Sequence, residues 1–300
     1  MLLLAGSQLW SGRTRLAIER LEASHALFED IEDTFGLVQS SAVLGRALVL
    51  AGHLEDGLRV AGSVHVADSA SPWDVTLAGM ALLASTVQVG DVERSTRTLA
   101  SIPAGIDDAV DALVGHATDG DGALEGAGAG RTELSATLGL HRLQVGDAPG
   151  AVRLLEAVDA QQTVLDPNLH AATALAHLAA GTLEQAMADA DEVDASPRAT
   201  YLDRLTAGTA RALAHARRHD EAACTAAFDQ LRAAADATED RVSQALVRLA
   251  DATAASALGR TDAAGRMAEA ERRLAEIGLT GAGWRTAFSL SLGLGLRPTT

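Results

Sequence analysis

Four stretches of the sequence carry residue types that could do chemistry. Asp107, Asp108 and Asp111 stand in "DDAVD", whose spacing lets carboxylates share a helical face and hold a diphosphate through magnesium. The same residues also suit the first turn of a helix after "IPAG", where carboxylates favour the positive helix end. His215 and His219 lie one helical turn apart with Glu221 following, a spacing that can ligate zinc. No HEXXH motif accompanies them and His219 falls in an expected turn, so they read as exposed polar histidines and no metal is expected. His170 and His177 share a helix face two turns apart, with no carboxylate or cysteine beside them. "EGAGAGRT" at 125–132 has glycines in the manner of a phosphate-binding loop. It carries Arg131 where that mechanism needs a lysine, and no strand precedes it, so a flexible loop is expected.

The elements that must position these residues follow from composition. The chain has 300 residues, 48% of them hydrophobic and only 3% aromatic, so Ala, Leu and Val must build the interior. Ala and Leu are strong helix formers, and six prolines leave long stretches unbroken, which predicts an all-α protein. Few aromatic side chains also means little shelter for the cations that a diphosphate-ionising enzyme must stabilise. A formal net charge of −16 argues against nucleic acid or an anionic membrane as the main partner. The basic residues are all arginine, so no lysine serves a Schiff base or a phosphate loop. The single cysteine, Cys224, sits in "HDEAACTAAFDQL" and reads as a small hydrophobe on the buried side of a helix. "MLLLAGSQLWSG" lacks the basic start of a signal peptide, and no stretch reaches membrane-span length. The expectation is a soluble cytoplasmic protein without a cofactor.

The tetrapeptide QVGD occurs at 88–91 and again at 144–147. Aligning the chain on its helix-breaking turns gives the anchors Gly12, Gly52, Gly90, Gly146, Gly181, Arg217 and Gly259. Five residues after them stand Ala17, Gly57, Ser95, Ala151, Ala186, Ala222 and Ala264, all small. Seven residues before them stand Ala5, Gly45, Leu83, Gly139, Ala174, Ala210 and Ala252, with Leu83 the one large member. Antiparallel helices joined by a tight turn approach closely only where facing side chains are small, and a turn glycine supplies the left-handed backbone that ends the first helix. Successive anchors stand 40, 38, 56, 35, 36 and 42 residues apart. The long step contains "DGDGALEGAGAG", whose glycines predict a looped insertion or a decayed unit. The expected division is therefore 1–114 and 132–278 as helical repeats, 115–131 as the Gly-rich segment, and 279–300 as a terminal helix and tail.

The small residue before the turn, the turn glycine and the alanine after it, as in "LGRALVLAGHLEDG" and "LGLHRLQVGDAPGA", resemble the tetratricopeptide repeat. The family's aromatic positions are mostly Leu, Ala or His here, and the spacings exceed its usual period. The resemblance implies a right-handed superhelical solenoid of about seven antiparallel helix–turn–helix repeats. Phrases such as "RLEASHALFEDIEDTFG" are similar to the helical tails of large bacterial signal-transduction ATPases, which also follow regulators with DNA-binding or cyclase domains. In solenoids of this type the first helix of each unit lines a concave face that recruits proteins or peptides. Counting back from the turns, its polar residues are Gln39, Arg46, Gln88, Glu133, Gln144, Asn168, Arg204, Arg211 and His215. The expected function is a non-enzymatic interaction or sensor module. The alternative is a magnesium-dependent diphosphate enzyme built on Asp107, Asp108 and Asp111.

Both ends of the array carry expectations. The apolar "MLLLAG" gives the first unit no polar cap, which fits a chain preceded by an ATPase or regulatory domain, or a first unit packed on another chain. At the other end Trp284, Ala287, Phe288 and Leu292 fall on one helical stripe, which predicts a short capping helix docked on the last repeat, with Pro298 and the threonines beyond it disordered.

Overall fold

Long runs of Ala and Leu between glycine-marked turns leave the backbone little alternative to helix. The computed structural model describes residues 1–62, 72–101, 124–159 and 166–294, and these contain fifteen helices and no strand. They are α1 (Leu2–Leu9), α2 (Thr14–Asp30), α3 (Thr34–Leu50), α4 (Leu54–Gly62), α5 (Pro72–Val89), α6 (Val92–Ser101), α7 (Leu124–Gln144) and α8 (Ala148–Asp159). There follow α9 (Pro167–Ala180), α10 (Leu183–Ala195), α11 (Tyr201–Arg217), α12 (Glu221–Asp236), α13 (Arg241–Ala257), α14 (Ala263–Glu276) and α15 (Ala282–Ser291). The chain forms two compact units, Met1–Leu134 with Thr238–Arg241, and Ser135–Ala237 with Val242–Thr300.

Six of the seven expected anchors are left-handed glycines: Gly12, Gly52, Gly90, Gly146, Gly181 and Gly259. Each closes its first helix in the same way. At Gly181 the anchor N–H donates to the Leu178 carbonyl at 3.1 Å, and the next N–H, of Thr182, donates to the His177 carbonyl at 2.9 Å. This is the pair of hydrogen bonds of a Schellman turn, which satisfies carbonyls that the helix end would orphan. The sixth turn corrects the expected register. Arg217 still belongs to α11, and the left-handed residue is His219, φ 57°, whose N–H donates to the Ala216 carbonyl at 2.9 Å. With His219 as anchor, the small columns fall on Ala212 and Cys224, both buried, instead of Ala210 and the exposed Ala222.

QVGD is thereby accounted for. The glycine ends one helix and the aspartate caps the next: Asp91 accepts from the Arg94 N–H at 2.9 Å, and Asp147 from the Gly150 N–H at 2.9 Å. Asp220 does the same after His219, accepting from the Ala223 N–H at 3.0 Å.

The two small columns meet where the helices of a pair cross. A Cβ added at Gly45 would stand 2.7 Å from the Ala61 Cβ and 2.8 Å from the Gly57 carbonyl oxygen, and one at Gly57 would stand 2.6 Å from the Gly45 oxygen. The seventh pair departs from the pattern, because α14 starts at Ala263, four residues beyond Gly259, where the other second helices start two beyond their anchors. Ala264 is consequently exposed.

Within each unit a first helix packs on its own second helix and on the next first helix, as α3 does on α4 and α5, and α9 on α10 and α11. The largest fully buried side chains are leucines together with Phe228, so leucine supplies the burial energy while alanine and glycine set helix separation.

Two expectations about segments change. The tract 124–131, expected as a flexible loop, forms the opening turns of α7, since backbone hydrogen bonding carried through from the strongly helical "TELSATLGLHRLQ" outweighs the entropy of three glycines. The terminal helix α15 exists and, with Leu292 just beyond it, buries Trp284, Ala287 and Phe288. It touches the last pair through Arg285 on Glu271 of α14 and Gly281 against Leu249 and Leu274, but it also lies on α9 and α11, upstream of that pair. At the other end Met1, which precedes α1, and Leu3 and Leu4 within it are exposed. Pro298 and its neighbours, and residues 115–123, lie outside the described residues.

Candidate functional site

The sequence-derived surface residues separate into two groups, and a further cluster of side chains forms a third. In the first unit, the Arg46 guanidinium on α3 lies 4.5 Å over the Trp10 ring and pairs with Glu133 of α7. The two predicted residues thus meet, and the aromatic face adds a cation–π contact. Gln39 is half-buried on α3 and Gln88 half-buried at the end of α5. Gln144 is buried at the end of α7, in the part of that helix that belongs to the second unit. Asp107, Asp108 and Asp111 lie outside the described residues.

The second group lies in the second unit, where α11 and α12 leave a cleft of about 250 Å³. Tyr201, Arg204 and Arg211 of α11 edge it, and Leu205, Gly208, Ala227, Leu231 and Ala234 form its apolar walls. Gly208 lets the Leu231 wall pack closely against α11, since a Cβ there would come within 2.6 Å of the Leu231 Cδ2. Tyr201 and Arg204 are set by the start of α11, where Thr200 and Asp203 form a capping box. Asn168 braces this corner from α9 by donating to Asp203 at 3.2 Å.

The arginines are held by the acidic end of α10. Arg204 donates to the backbone oxygens of Asp194 and Ser196 at 3.2 and 2.9 Å, supplying cations where the helix dipole is negative. Arg211 forks between Asp191 at 2.8 Å and Asp194 at 2.6 Å. The Arg204 side chain remains 43% exposed, so it can meet a further acceptor. His215 is half-buried further along α11.

The third group was not legible as a site. His170 and His177 of α9 are accompanied by carboxylates, contrary to the sequence reading, and these come from the flanking helices. Asp189 of α10 accepts from His177 Nδ1 at 2.7 Å and stands 3.4 Å from His170 Nδ1. On the other side, Glu156 of α8 lies 3.2 Å from His177 Nε2, and Asp159 lies 3.3 Å from His170 Nε2. Both nitrogens of each ring face carboxylates, an arrangement that only an imidazolium satisfies fully. The Asp189 carboxylate accordingly raises both histidine pKa values against the opposing effect of burial. Burial pushes Asp189 upward, but the two histidines outweigh it and its pKa is lowered. The repeat register held the missing signal. Moving the facing pair at −7 and +5 one turn away from Gly181 sets His170 opposite Asp189.

Among the described residues no group of three or more His, Cys, Asp or Glu side chains is arranged to hold a metal ion. Cys224 is buried and its thiol is pushed up to about 11, chiefly by desolvation, so it is a poor nucleophile. No helix among the described residues is long and apolar enough to cross a membrane. No protein-family model matches the chain, and no curated protein is significantly similar to it.

Proposed function

We propose that this chain is a non-enzymatic interaction module, a tetratricopeptide-like stack of about seven antiparallel helix pairs that binds a protein or peptide segment. The superhelical, right-handed form of that stack is part of the proposal. Support comes from the seven turns of common hydrogen bonding and from small residues facing each other across the helix pairs.

The observation that carries the reading is the cleft between α11 and α12. Two arginines expected on a partner face edge an open, apolar-walled cleft beside a tyrosine. Tyr and Arg are the residue types that anchor interfaces, because they offer large contact area and charge-assisted hydrogen bonds. The fitting ligand is a segment that seats an apolar side chain against Leu205 and Leu231 and presents a carboxylate to Arg204. In keeping with the resemblance of its helical phrases, the module would serve a bacterial signalling or transcription-regulating system in the cytoplasm.

The test is a peptide selected from a displayed random library, titrated against the chain and against Ala234→Arg. Ala234 is exposed, so the substitution fills the cleft without disturbing the core. Affinity should fall about tenfold or more while the thermal melt stays unchanged. Unaltered affinity would remove the cleft from the account. Magnesium-dependent turnover of a diphosphate, abolished by Asp107→Ala, would replace the reading with the enzyme.

A further inference from the structure

The C-terminal helix α15 lies on α9 and α11, the first helices of two upstream pairs. Helix α9 shows what this contributes. Residues Ala171 to Leu178 are all buried, and eight consecutive helical residues go round the whole circumference more than twice. Its cover is completed by α8, α10, α11 and α15. With α15 absent, part of an apolar surface made of small side chains would face water.

The contact that α15 makes there is apolar and specific in pattern. Trp284 and Phe288, one turn apart, stack with ring centroids 5.5 Å apart, and Ala287 and Leu292 extend the same buried stripe. The helix carries Arg285 and no acidic residue, which suits a chain of net charge −16. Arg285 reaches the Thr280 carbonyl and Glu271 at 3.4 Å and the Met267 sulfur at 3.6 Å, all long contacts. Thr286 and Ser291 bond back into their own helix. Gly281 at its start makes no side-chain cap, and both Gly278 and Gly281 are left-handed, so the chain enters the helix through two residues free of the usual backbone restriction.

We propose that the α9–α11 face is a receptor for an amphipathic helix supplied by a partner protein, and that α15 is its built-in competitor. The partner helix is neutral or basic and presents two aromatic side chains one turn apart, as α15 does. The inference rests on the reading of the chain as a binding module, but it uses a surface other than the α11–α12 cleft. A partner helix gains access when α15 lifts away about the Gly278–Gly281 hinge. The tethered α15 competes at an effective concentration on the order of millimolar, so the closed state sets a threshold that partner affinity must exceed.

The probe is a fluorescent peptide of residues 280–294, titrated by anisotropy into the full chain and into the full-length Trp284→Ala, Phe288→Ala double variant. Wild type should bind it weakly. The double variant, with helicity retained by circular dichroism, should bind it about tenfold tighter or more. A helical double variant that fails to bind the peptide overturns the proposal. Hydrogen exchange on the unmodified chain gives the answer independently of that variant's folding. Amides of α15 should exchange about tenfold or more faster than those of α9 and α11, reporting local opening. Exchange at the same rate as α9 and α11 would make α15 an integral cap and overturn the proposal. Concentration-dependent dimerisation of wild type, abolished by the peptide, would assign the face to a second copy and likewise overturn it. The Ala234→Arg variant should leave peptide binding unchanged. Failure of the cleft and failure of this face are thereby distinguished.

Discussion

At Asp189 one carboxylate answers to two imidazoles, and a second and a third carboxylate, of Glu156 and Asp159, stand on their far sides. Raised histidine pKa values make this cluster a proton-linked tie between α8, α9 and α10. Its stabilising effect is fully present below the ordinary histidine pKa of about 6.5 and is lost as pH rises through the raised values. Asp189 acts in the opposite direction, since its lowered pKa removes stability only as strongly acid pH is approached. Glu192 of α10 adds to the field at His170. Thermal melts of His177→Gln should therefore show a deficit near pH 5.5, on the order of 1.5–3 kcal/mol for a hydrogen bond to a charged group, shrinking towards pH 9. A deficit independent of pH would mean that the histidine acts by shape alone. The sequence showed His170 and His177 on one face. It hid their partners, because the cluster is assembled from three helices and a single-helix pattern describes only one of them.

The turns are the elements on which the fold's regularity depends. Gly181 has φ 95° and its added Cβ would meet nothing closer than 3.4 Å, so Gly181→Ala should cost about 1–2 kcal/mol through backbone strain alone. His219 holds the same conformation with a side chain, and His219→Gly should gain about 1 kcal/mol. Opposite signs in paired denaturation curves check both, and equal signs would contradict the left-handed assignment. Gly57→Ala tests a different cause. Its Cβ would enter backbone at 2.6 Å, and a loss of about 1–3 kcal/mol is expected from overpacking. These elements were the most legible part of the chain, since glycine marks the left-handed position directly. The sixth turn was misread by two residues because histidine occupies that position. The tract 124–131 was misread because glycine content describes local entropy and is silent about the helix that continues beyond it.

At the scale of the whole chain, the account makes surfaces carry function. Trp284→Ala should cost about 3 kcal/mol, measured as a lowered melting temperature, since large rings supply burial that alanine stacking lacks. The same substitution should leave peptide binding at the α11–α12 cleft intact, and a loss of that binding without a change in melting would make the aromatic stripe part of the cleft's own site. Interaction through the cleft is the central claim, and a hydrogen-exchange footprint of a library-selected peptide on the full chain tests it most directly. Protection should concentrate in α11 between Tyr201 and Arg211 and in α12 between Ala227 and Ala234, the segments that line the cleft. Protection that spares both segments, with the peptide bound, would contradict the account.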